Sequence, residues 1–125
     1  MTNDLKEILE KVFYFQNNIK LFHWETLSFA EHKAFGEFYD KFSDTSDKLV
    51  EIIFGKFGRI KLNGSISIEV SDYSQSQVDE CLNEAETFFT TDIFNILKGE
   101  NTEIQNISQE ICGDIQQLKY LLSLS

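Results

Sequence analysis

The chain holds two histidines, His23 and His32, separated by a short segment that reads as a turn between two helices. Neutral imidazoles ligate divalent first-row metals well, so a tight hairpin that brings both together could serve one ion. Two partly exposed histidines beside a turn are the other reading. Further along, Asp47 and Glu51 stand four residues apart, which puts both carboxylates on one helix face. Asp40 and Asp44 extend that row, so an ordinary solvated acidic face competes there. His32 and Asp47 differ by 15 positions. That spacing leaves a net rotation of about 60°, so they share a broad face, but the rise of about 22 Å keeps them from one ion. If they cooperate, a two-fold partner must bring one subunit's histidines against the other's carboxylates.

The elements that position these groups follow from apolar spacing. Leu5, Ile8, Leu9, Val12, Phe15, Ile19 and Phe22 predict a first helix over about 4–25. Ser28 and Glu31 form a capping box for a second over 29–57, striped by Phe35, Phe38, Phe42, Leu49 and Ile53 and closed by Gly58. Residues 58–73 break the pattern: Ile66, Ile68 and Val70 alternate with polar residues, as in a short strand or an extended crossover. Ser74 with Gln77 caps a third helix over 75–98, and Thr102 with Gln105 a fourth over 103–123. The expected fold is a single all-α domain over 1–125, a four-helix bundle of two helical hairpins joined by one long crossover at 58–73. That is the ferritin-like arrangement; an up-and-down bundle with a decorated middle loop is the alternative. The first hairpin is too apolar for one core stripe, with Phe13, Tyr14 and Leu21 off the main face of its first helix and Phe29, Tyr39 and Phe54 widening the second. A subunit interface through Tyr14, Phe35 and Tyr39 is the expected use of that surplus.

Composition narrows the function classes. The 125 residues include 11 basic and 21 acidic side chains and no proline, for a net charge of −10. Residues 1–61 carry 9 basic and 10 acidic groups, and residues 62–125 carry 2 and 11, so nearly all the excess acid lies in the second half. Such a balance argues against a phosphate-backbone binder, and nucleic acid is not an expected partner. No apolar run approaches the roughly 18 residues of a membrane helix. The opening residues contain no apolar secretory core, so the expected location is cytoplasmic. Cys81 and Cys112 are expected as reduced thiols, offset by about 12 Å along their helices. No histidine follows His32 and no Glu-x-x-His occurs, so the di-iron site that ferritin-like bundles build inside themselves is not expected.

The segment LFHWETLSFAEHKAFGEFYD, followed by Asp47 and Glu51, resembles the mini-ferritins called Dps proteins. The likeness rests on His23-Trp24 late in the first helix, on His32 with Phe35 and Tyr39 early in the second, and on the Asp47/Glu51 pair. The resemblance implies iron held across a two-fold interface, by His23 and His32 of one chain and Asp47 and Glu51 of the other. Zinc is a possible substitute, and Fe(II) oxidation by peroxide or O2 the implied activity. Trp24 and Asp44 would stand behind the ligands. The stretch from Ala30 to Arg59 is also similar to ferritin-like proteins of phages and large DNA viruses, in which case the location is the host cytoplasm. A non-catalytic helical dimer or interaction module, an accessory protein of a virus or phage, is the competing function.

Overall fold

The computed structural model describes residues 2–99 and 101–124, with side chains from Leu5 onward. Its regular elements among those residues are all helices: α1 (Thr2–Glu25), α2 (Phe29–Phe57), α3 (Gln75–Thr87), a π turn (Phe88–Asp92), α4 (Ile93–Leu97) and α5 (Thr102–Ser123). The expected third helix is thus α3, the π turn and α4 in succession. No described helix is long and apolar enough to cross a membrane.

Local chemistry sets the boundaries. Ser28 has extended backbone, and its hydroxyl accepts from Glu31 N, one half of a capping box. The reciprocal bond is replaced: Ser28 N donates to Thr26 Oγ1, while the Glu31 carboxylate accepts from Thr26 Oγ1 at 2.7 Å and Tyr73 OH at 2.6 Å. Ser74 caps α3 by accepting from Gln77 N. Thr102 is not the cap of α5; Asn101 holds that place, without a side-chain cap bond. Gly58, at φ 87°, stops α2 because a left-handed backbone there suits only a residue without Cβ.

The connection at residues 58–74 is extended, with no strand, and runs back along α1. Asn18, only 2% exposed, donates from Nδ2 to Glu69 O at 3.0 Å and accepts from Ser71 N at 3.0 Å. Tyr73 N then donates to Glu25 Oε1 at 2.7 Å, so α3 begins at the end of the bundle where α1 meets α2. α3 therefore runs parallel to α2, and α5 returns antiparallel to both. Lys41 Nζ donates to Gln117 Oε1, Lys119 pairs with Glu86, and Lys56 pairs with Glu103, tying α5 to its two neighbours. An up-and-down bundle would start α3 at the opposite end.

The core is aromatic at mid-height. Phe15 packs on Phe88 and Phe89 at 6.2 and 5.9 Å, and Phe42 on Phe89 at 5.8 Å, all tilted or edge-on, the arrangement ring quadrupoles favour. Phe35 belongs to this core and not to an outer interface. It is fully buried against Phe22 and Tyr73, because its position on α2 continues the inward row of Phe38, Phe42 and Leu49.

Candidate functional site

The two histidines meet across the turn at 26–28 in a reciprocal clamp. His23 Nδ1 lies 2.6 Å from His32 O, and His32 Nδ1 lies 2.7 Å from His23 O. A carbonyl oxygen only accepts, so both Nδ1 atoms carry a proton, and Nε2 is the nitrogen left to offer a lone pair to a metal. This is how proteins orient metal-ligating imidazoles, through a backbone carbonyl behind the far nitrogen. The clamp needs the glycine one turn along α2. A Cβ at Gly36 would stand 2.9 Å from His23 Cε1 and 3.1 Å from Nδ1, closer than carbon atoms tolerate. The sequence reading did not single out Gly36; its signal was a glycine four residues after His32 inside an otherwise uninterrupted helix.

The rings stack, with centroids 3.9 Å apart and planes inclined by 17°. Imidazole lone pairs lie in the ring plane, and planes so related converge only roughly 10 Å away, far beyond a metal–nitrogen bond of about 2.0–2.1 Å. In this ring arrangement the two Nε2 atoms serve separate positions, or one holds an ion and the other a water on it.

The carboxylates sit further along the α1–α2 face. Asp47 lines a surface depression with Leu9, Phe13, Gln16, Ser43 and Val50, between α1 and α2. Asp44 and Glu51 are exposed on α2 beside it. Among the described residues no three His, Cys, Asp or Glu come together. One chain therefore offers two half-sets of ligands, at opposite ends of a single face.

The α1–α2 face carries exposed apolar side chains beside both half-sets. Phe13 is 45% exposed, Trp24 67% and Phe29 79%, and Leu27 projects fully from the turn. Lys20 Nζ lies 4.4 Å from the ring centroid of Tyr39 and 5.6 Å from that of Trp24, so a cation is held at the middle of the face. Tyr39 is thus placed on this face. Tyr14 is not: it faces the crossover and α3, beside Lys11, Glu69, Glu80 and Glu84, and burial with those carboxylates pushes its hydroxyl up to about 12. Its position on α1 points to the edge away from α2, which corrects its expected place in the interface.

No curated protein and no solved structure matches the chain. A family described only as a family of unknown function, DUF5856, matches residues 23–122, a span that opens on His23 and takes in every candidate ligand. The chain belongs to that family.

Proposed function

We propose that this protein is a ferritin-like, Dps-like iron-binding protein that works at least as a two-fold dimer. Fe(II) is its substrate, taken between His23 and His32 of one subunit and Asp47 and Glu51 of the other. The observation that carries the reading is the division of the ligands. Two oriented imidazoles and a carboxylate pair lie about 22 Å apart along one face of α2, and among the described residues nothing completes either half. Antiparallel pairing of two such faces, about an axis that crosses α2 between Tyr39 and Ser43, superposes the halves. The same operation brings Lys20 level with the second copy's Asp44. The topology of α1 to α5, with α2 and α3 parallel, supports the ferritin-like reading. Phe15, Phe42, Phe88 and Phe89 fill the place where such bundles hold an internal metal pair, so the outer face is left for iron.

The donor set suits Fe(II). Neutral nitrogen and carboxylate oxygen are both acceptable to it, and with one imidazole and the two carboxylates on the ion and the other imidazole on a water bound to it, positions stay open to peroxide or O2. The clamp holds each Nε2 lone pair outward, and Trp24 stands next to His23 where it can supply an electron or shield the site. Zn(II) is a redox-silent probe for the same ligands. Light-scattering mass together with anaerobic Fe(II) and Zn(II) titration tests the reading. A dimer or larger assembly that binds metal, with binding lost in Asp47→Asn/Glu51→Gln, is the expected result; metal binding at full affinity by a monomer overturns it.

The stacked rings favour a second reading. In it the His pair is purely a latch on the α1–α2 turn, and the exposed apolar residues serve assembly alone. Assembly without metal binding above non-specific levels is the outcome that selects it.

A further inference from the structure

A separate feature lies on the opposite hairpin. A cleft of about 230 Å³ opens beside the π turn, lined by Phe89, Phe94, Gln105, Ser108, Gln109 and Cys112. The π turn, in which Ile93 N reaches back to Phe88 O, widens the helix at this point, and such turns collect at binding sites. Ser108 is 1% exposed, and among the described residues its Oγ has no hydrogen-bond partner. A buried hydroxyl without a partner is destabilising, and in a helix Ser normally bonds the carbonyl one turn back. No charged side chain lines the cleft, and burial raises the Cys112 thiol so that it too stays neutral.

We propose that this cleft binds a small uncharged aromatic molecule bearing a hydroxyl. The walls suit a ring: Phe89 and Phe94 offer aromatic faces or edges, and the sulfur of Cys112 makes favourable contact with aromatic carbon. An apolar cavity of roughly 150 Å³ holds benzene, so the volume here admits a ring with one or two substituents. The ligand hydroxyl pairs with Ser108, while Gln105 and Gln109 supply amide groups at the rim. A charged ligand is disfavoured because nothing in the cleft would compensate its desolvation. The proposal stands apart from the metal reading, since the π turn and α5 contribute nothing to the α1–α2 face.

The test uses the full chain with p-cresol and toluene as probes. Amide shifts in a nitrogen–proton NMR spectrum map the site, and the rate of Cys112 alkylation by iodoacetamide reads occupancy. The expected result is p-cresol shifts at Phe89, Phe94 and Ser108, slower alkylation of Cys112, and at least fivefold weaker binding of toluene. Ser108→Ala should lose that preference for cresol while its Tm rises by roughly 2–4 °C, because an unpaired hydroxyl has been removed. Absence of binding at millimolar cresol, shifts mapping elsewhere, or equal affinity for cresol and toluene overturns the proposal.

Discussion

Replacing Gly36 by Ala isolates the histidine clamp. The new methyl would lie 2.9 Å from His23 Cε1, whereas carbon contacts settle near 3.5–4.0 Å, so the ring must retreat by roughly 0.5–1 Å. That displacement stretches the 2.6 Å bond from His23 Nδ1 to His32 O to the limit of a hydrogen bond. Overpacking costs about 1–3 kcal/mol and the weakened bond about 1 kcal/mol. Against this, alanine gains about 1 kcal/mol over glycine in a helix. The net expectation is a loss of about 1–3 kcal/mol. Gly113→Ala on α5 is the matched control: nothing lies within 4 Å of its added Cβ, so it should stabilise by about 1 kcal/mol. Urea denaturation of both variants therefore reads a difference of about 2–4 kcal/mol between two chemically identical substitutions. Zn(II) affinity in Gly36→Ala should fall 10- to 100-fold, as it does when the group orienting a ligand is lost. Equal stabilisation by both alanines, with zinc affinity intact, would refute the clamp.

Other expectations rest on the same contacts. Asn18→Ala removes the side chain that ties the crossover to α1 and strands Glu69 O and Ser71 N; a loss of about 2–4 kcal/mol with faster amide exchange at Ser71 should follow. Burial pushes the Cys81 thiol from its ordinary 9.0 up to about 12, so the folded chain keeps a proton that the unfolded chain releases above 9. Stability contributed by the neutral thiol is whole below pH 9 and is lost as pH rises toward 12, by at most about 1.4 kcal/mol per pH unit. Denaturation midpoints from pH 8 to 11 should fall less steeply in Cys81→Ala than in the parent; parallel slopes would contradict this. At pH 8, iodoacetamide should modify Cys112, which is half-buried, and leave Cys81 intact, as peptide mass mapping would show.

Much of this architecture is written in local pattern. Ser28, Ser74 and Gly58 mark element ends through backbone hydrogen bonds that any helix terminus needs, and the unbroken stripe on α2 gives its bounds as 29–57. The π turn is subtler. Ala85, Phe89, Ile93 and Leu97 recur at strict four-residue steps, which in a 3.6-residue helix drift by about 40° each, and a widened turn takes up that drift. The direction of α3 depends on Asn18 and Tyr73 gripping the crossover, a pairing across some fifty positions that no periodicity reveals. At the candidate site, residue types and spacing lead to His23, His32, Asp47 and Glu51. The mutual bonds to backbone carbonyls, and the dependence on Gly36, come only from how closely α1 approaches α2. Phe35 and Tyr14 show the reverse limit: an aromatic surplus on a hairpin does not say which rings turn inward or toward a crossover.

The divided ligand set is tested most directly by mixing two defective chains. His23→Ala/His32→Ala keeps only the carboxylates, and Asp47→Asn/Glu51→Gln keeps only the imidazoles. Each alone should neither bind Zn(II) nor oxidise Fe(II) in the presence of peroxide. After the two are unfolded together and refolded, mixed dimers should regain one intact site in two. The account predicts return of about half the parental zinc stoichiometry within the mixed dimers, and of Fe(II) oxidation with it. No recovery in mixed dimers confirmed by mass spectrometry would contradict it.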